Sequence, residues 1–162
     1  ALDLDVLRRA PLAQLAGWIR PAGYYNVKAR RLRAFKTMVM ERYHGKLEAL
    51  LAEETSRLRA ILLDVHGIGP ETADSILLYA ANRPVFVVDA YTRRFLLRHR
   101  WISKKESYDG VARLFTSLIP SDTALFNEYH ALIVALGKNL CRPRPRCDDC
   151  PLRSCLPPGG PA

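Results

Sequence analysis

Cysteine is missing from the first 140 positions of this 162-residue chain, and all four cysteines fall at 141, 147, 150 and 155. A disulfide framework spreads its cysteines to staple distant segments together. So tight a cluster excludes that plan and points to a metal. Long apolar runs are lacking too: none approaches the roughly 20 residues a membrane span requires. No secretory or transit segment is visible. The chain opens on Ala1 rather than a methionine, so a missing N-terminal segment is expected. Acidic residues are scarce, 16 against 25 lysines and arginines, which leaves a formal net charge of +9 and a pI near 9.7. That excess favours a polyanionic partner, nucleic acid or an anionic membrane surface. Hydrophobic residues are not scarce. At 49% they are too abundant for a disordered chain and sufficient for a real core.

The pattern is helical, so an all-α fold is expected. Between Asn26 and His44, Leu32, Phe35, Val39 and Tyr43 form an apolar stripe, with Lys28, Arg30, Arg31, Arg33 and Lys36 opposite. A second helix is predicted over 54–63, stopping at His66-Gly67-Ile68-Gly69. A third starts at Pro70, a favourable first helical residue, and runs to about Ala81. Pro84 to Val88 is a short apolar run that reads as a buried extended segment. Asp89 then caps a helix over 90–99. Arg93, Arg94, Arg98, Arg100, Lys104 and Lys105 make a further basic cluster. The last long helix carries Leu125, Tyr129, Leu132, Ile133, Leu136 and Leu140 at helical spacing and runs into Cys141, and the tail after Cys155 reads as loose.

Three motifs carry chemistry. In Leu62 to Ala73, two helices meet at Gly67-Ile68-Gly69. Glycines there permit positive φ and close approach, and the second helix offers free N–H groups to a DNA phosphate. A plain αα-hairpin with a glycine turn shares that pattern. In Val87-Val88-Asp89-Ala90-Tyr91, the aspartate is either a simple cap or a partly desolvated carboxylate facing a cleft. The latter can stabilise a cationic sugar or orient a water. In Cys141-x5-Cys147-x2-Cys150-x4-Cys155, four thiolates suit a tetrahedral zinc or a 4Fe-4S cluster equally well. Arg142, Arg144, Arg146 and Arg153 decorate that loop as phosphate contacts or as a solvated charge set.

In this order and spacing the motifs resemble the endonuclease III superfamily of helix-hairpin-helix DNA glycosylases. Gly23 to Ala29 looks like that family's approach to the hairpin, and Gly67-Ile68-Gly69 with Thr72-Ala73 like its DNA-gripping turn. Val88-Asp89 looks like its catalytic aspartate, and His130-Ala131-Leu132-Ile133 leading to Gly137 and Cys141 like the helix entering its iron–sulfur loop. The resemblance implies two lobes: residues 1–20 with 121–162 as a partial cluster lobe, and 21–120 as a helical lobe containing the hairpin. It also implies a 4Fe-4S cluster on Cys141, Cys147, Cys150 and Cys155, with zinc as the alternative. A damaged base would be flipped out of double-stranded DNA into the cleft between the lobes.

Three departures refine this. Bifunctional members carry a lysine where this chain has Glu71, and a carboxylate cannot form the Schiff base that strand β-elimination requires. The cysteine loop is shorter than the family's at its first and third gaps. The family's N-terminal helices are expected to be missing. With Glu71, the stretch Gly67 to Asp74 and Val88 to Tyr91 looks closest to the 3-methyladenine DNA glycosylase branch.

The expectation is therefore a cytoplasmic, nucleoid-associated monomer that hydrolyses the glycosidic bond of alkylated purines in base excision repair. Asp89 would stabilise the sugar cation, with Glu71 assisting. Gly67, Ile68, Gly69, Thr72, Lys28, Arg144 and Arg146 would contact DNA, and Tyr24, Tyr25 or Tyr91 would stack on the base. An endonuclease III-type enzyme with AP lyase activity, and a non-catalytic DNA-binding module with structural zinc, stand as alternatives.

Overall fold

The computed structural model describes residues 4–161, leaving aside the side chains of residues 4, 5 and 8. Among the described residues there is no strand. The helices are α1 (Leu4–Arg9), α2 (Leu12–Trp18), α3 (Tyr25–Tyr43), α4 (Leu47–Leu51), α5 (Thr55–Leu63), α6 (Pro70–Ser75), α7 (Ala90–Arg98), α8 (Tyr108–Leu118) and α9 (Thr123–Asn139). Between α6 and α7 lies a single π-helical turn, Ile76–Ala80. The chain divides into two compact units, residues 1–73 and 74–162, with the boundary inside α6.

In the first unit, α2 packs on α3, and Leu7, Leu15, Ala16 and Ala29 bury a small cluster. α3 stops where His44 (φ 52°) and Gly45 (φ 77°) turn left-handed, a helix ending that glycine makes cheap. Arg42 near that end donates to Asp64 at 2.6 Å, tying α3 to the turn after α5. α5 begins at Glu54, whose carboxylate accepts from the N–H groups of Ser56 and Arg57 and satisfies two orphan donors.

The core of the second unit is built around the segment expected to be buried and extended. Phe86, Val87 and Val88 are almost wholly enclosed. Phe86 stacks on Phe115 of α8 at 3.8 Å and meets Phe126 of α9 edge-on at 5.7 Å. Burying three aromatic rings in contact contributes both area and favourable ring geometry. The Val88 N–H donates to the Tyr108 hydroxyl, so this donor is satisfied without a ladder partner. α7 lies against α9, and so does the π turn.

The inward face of α9 differs from the one the sequence suggested. Phe126, Ile133 and Gly137 are buried, whereas Leu132 is 58% exposed and Tyr129 also faces solvent. Two overlapping sets at helical spacing exist, 125/129/132/136/140 and 126/130/133/137. The second wins because Gly137 admits the Tyr91 ring: a Cβ there would stand 2.4 Å from a ring carbon. The helices α1, α2, α4 and α8 were not foreseen. The first three have only five to seven residues each, too short to display a periodic stripe.

Candidate active site and cysteine loop

Asp89 occupies the cap position of α7 as expected, with extended backbone. Its Oδ1 accepts from the Thr92 N–H at 2.7 Å and the Thr92 hydroxyl at 2.9 Å. Its Oδ2 lies 3.5 Å from Nε2 of His130, midway along α9. Both side chains are nearly enclosed, 12% exposed for Asp89 and 13% for His130. Burial is the largest single influence on this carboxyl and pushes its pKa up. His130 and the two Thr92 donors together outweigh it and hold Asp89 below the ordinary carboxylate value. Asp89 is therefore a carboxylate at neutral pH, with one oxygen saturated and the other facing an imidazole.

On the other side of that imidazole stands Tyr79, from the π turn. Its hydroxyl lies 2.5 Å from His130 Nδ1. Burial first, and the negative charge of Asp89 second, raise the Tyr79 pKa, which keeps the phenol protonated. In the sequence His130 stands out only as part of the α9 run, and Tyr79 not at all. The available signal was the position of His130 on the 126/130/133/137 face, beside residues that turn out buried. For Tyr79 there was none, because π turns have no sequence signature in one chain. Such turns recur at functional sites.

At the hairpin, Gly67 has φ +87°, a conformation that favours glycine, and a Cβ there would displace the exposed Arg31 side chain 2.4 Å away. Gly69 needs no positive φ and faces open space. The Ile68 N–H closes the turn on the Val65 carbonyl at 3.0 Å. Pro70, Glu71 and Thr72 lie exposed at the start of α6. Beside the turn, Arg30, Arg33, Arg42 and His66 line a groove of the first unit, with Glu41 and Asp64 among them.

The remaining predicted residues fall into different settings. Tyr24 is 88% exposed in a left-handed conformation (φ 47°) just before α3. Tyr25 packs on the Leu15–Ala29 cluster. Tyr91 lies against Gly137, with the Arg94 guanidinium 5.1 Å above its ring. Lys28 donates to the Ala22 carbonyl. Arg144 is exposed, and Arg146 pairs with Asp149 at 2.7 Å. Part of the 93–105 basic cluster is engaged internally. Arg93 donates to the Glu106 carbonyl, and Arg94 to the carbonyls of Cys141 and Gly137. Arg98 donates to Cys141 Sγ at 3.2 Å and to the carbonyls of Arg142 and Pro143.

None of the four cysteines is in a disulfide. Cys141, Cys147 and Cys150 line one cleft with Arg98, His99 and Leu136, while Cys155 is exposed. Among the described residues, no three metal-binding side chains gather closely enough to hold an ion. The donor chemistry nevertheless fits a thiolate-bound group: four sulfurs on one short loop, and a guanidinium donating to one of them.

Residues 1–121 match the HhH-GPD superfamily of base excision DNA repair proteins. The chain belongs to that superfamily. Among HhH-GPD relatives, a Methanocaldococcus jannaschii protein provisionally named as a DNA repair glycosylase is 47% identical over 140 residues, 85% of this chain and 64% of that protein. Endonuclease III of Sulfolobus acidocaldarius is 28% identical over 150 residues, 92% of this chain and 64% of its own length. The chain thus spans just under two thirds of these curated relatives. Among solved structures, an H. pylori 3-methyladenine DNA glycosylase bound to 1,N6-ethenoadenine superposes with a TM-score of 0.68 at 28% identity, over 83% of this chain and 66% of that one. A non-covalent endonuclease III–DNA complex gives 0.77 at 24% identity, over 96% of this chain and 69% of that one, and supports the HhH-GPD fold.

Proposed function

We propose that this chain carries the catalytic part of a base excision DNA N-glycosylase that removes alkylated purines by hydrolysis. One observation carries the reading: an enclosed, ionised Asp89 whose Oδ2 is not saturated by hydrogen bonds. A fixed carboxylate in a poorly solvated setting favours a developing sugar cation, or the water that attacks it. An alkylated purine is itself cationic and leaves readily, so little acid catalysis is needed. Glu71 in place of an amine supports hydrolysis without strand cleavage. The H. pylori neighbour, a 3-methyladenine enzyme, is consistent with the substrate class. Of the three candidate tyrosines, Tyr24 is the one whose ring is fully available for stacking.

DNA is held by the hairpin turn and the basic faces, Lys28, Arg144 and Arg146 included, as phosphate contacts without base readout. The four cysteines hold a 4Fe-4S cluster that supplies structural order rather than chemistry to the base. Anaerobically purified protein should be brown with stoichiometric iron and sulfide, and one zinc in a colourless folded protein would replace that assignment. The interleaved lobes, the monomeric state and a cytoplasmic, nucleoid-associated location complete the proposal.

The deciding experiment is single-turnover release of 3-methyladenine and 7-methylguanine from alkylated duplex by wild type and Asp89→Asn. Free base without strand cleavage, abolished in the variant, is the expected result. Unchanged release in Asp89→Asn overturns the reading. The second reading, an endonuclease III-type lyase, draws on the Sulfolobus relative. It predicts a borohydride-trapped protein–DNA adduct, which the hydrolytic reading does not.

A further inference from the structure

We infer that His130 is a positioning residue for Asp89, and that Tyr79 sets the tautomer in which it acts. The inference rests on the proposed role of Asp89 and adds two residues to it.

The geometry is that of a relay across three elements: Tyr79 on the π turn, His130 on α9 and Asp89 at the start of α7. Tyr79 Oη lies 2.5 Å from Nδ1, and Nε2 lies 3.5 Å from Asp89 Oδ2. A protonated phenol has one proton to give, and Nδ1 is its nearest acceptor. That bond leaves Nδ1 without a proton, so a neutral ring carries its hydrogen on Nε2, the nitrogen facing the carboxylate.

Nε2 is shut off from solvent and has no hydrogen-bond partner at this distance. A buried N–H with nothing to donate to is unfavourable, and Asp89 Oδ2 is the carboxylate oxygen that a small movement would bring within reach. Catalytic hydrogen bonds are often long before substrate binds and tighten in the complex. Asp89 Oδ1 is already fixed by Thr92, so the carboxylate can pivot only about that anchor. His130 then sets where Oδ2 comes to rest. The π turn contributes by widening the helix at Tyr79, which changes the direction of its side chain relative to a regular α-turn. A filler histidine between packed helices would need neither a partner on Nδ1 nor a carboxylate on Nε2.

The experiment compares His130→Ala, His130→Gln and Tyr79→Phe with wild type and Asp89→Asn. Three quantities are read: single-turnover base release from alkylated duplex, DNA affinity, and the His130 tautomer from long-range proton–nitrogen NMR. Partners that orient a functional group, as in metal sites, commonly matter about 10- to 100-fold. His130→Ala should therefore slow release by about that factor with DNA affinity unchanged. His130→Gln, which keeps an N–H near the Nε2 position, should recover most of the rate. Tyr79→Phe should slow release a few-fold and shift His130 from the Nε2–H form toward a mixture.

Full-rate release by His130→Ala overturns the inference, as does equal loss in Ala and Gln that tracks a fall in melting temperature. An Nδ1–H tautomer in wild type overturns it without any substrate. If Asp89→Asn keeps its rate, the reading of Asp89 itself fails. If Asp89→Asn is inactive while His130→Ala is not, the positioning role alone fails.

Discussion

At the hairpin turn, Gly67 to Thr72, the groups proposed to bind are backbone N–H groups next to exposed residues, and the left-handed Gly67 lies under Arg31. Twenty residues beyond Gly69, at Asp89, the group proposed to act is a side chain enclosed by Thr92, His130 and α9. In the proposed function a phosphate would be met by donors that stay solvated, so its capture would be cheap and independent of base identity. A sugar cation would be met by a charge whose hydration has been replaced with fixed dipoles, so its worth would lie in enclosure. Binding of the proposed kind needs only an open turn, whereas the proposed chemistry needs a packed corner.

Breaking the packed corner should have the largest effect. Asp89→Asn should lower base release about 100- to 1,000-fold, on the order of 3–4 kcal/mol in the barrier, because asparagine keeps the cap but loses the charge. Melting temperature and DNA affinity should stay close to wild type.

Breaking the open turn should cost binding and some stability, and leave the chemistry of bound DNA intact. Gly67→Ala puts a Cβ against Arg31 and forces a left-handed alanine, about 1–2 kcal/mol for the backbone alone. That corresponds to a fall of roughly 2–8 °C in melting temperature for a chain of this size. Gly69→Ala, into open space, should barely register. Equal effects at the two glycines would remove the distinction.

Salt sharpens the contrast in a single titration. The logarithm of affinity should fall by about 0.9 for each phosphate contacted per unit of log salt. The single-turnover rate at saturation should hardly move, because the Asp89 corner is shielded. A flat binding response would contradict phosphate-dominated capture.

The smallest effect is on acid stability. Asp89 has its pKa held below the ordinary value in the folded state. Its contribution to stability is therefore fully present above the unfolded carboxylate value, about 3.9, and is lost as pH falls through the folded value. The stability difference between wild type and Asp89→Asn should shrink as pH falls below about 4. A difference that grows below about pH 4 would reverse the sign of the Asp89 contribution.

By itself the sequence determined the helical class, the Gly67 turn, the buried run before Asp89 and the cap at Asp89. Each of these is local: glycine conformational freedom, a proline at a helix start, and an apolar run ending in a capping carboxylate. The clustered cysteines were legible for the same reason. Tertiary structure decided the rest. It chose between two equally periodic faces of α9, through the fit of Tyr91 onto Gly137. It turned Arg94 and Arg98 inward onto the cysteine loop. It also drew Tyr79, Asp89 and His130, 51 positions apart from first to last, around one imidazole. Periodicity tells which residues share a helix face, but not which neighbour that face meets, because that depends on contacts between elements distant in the chain.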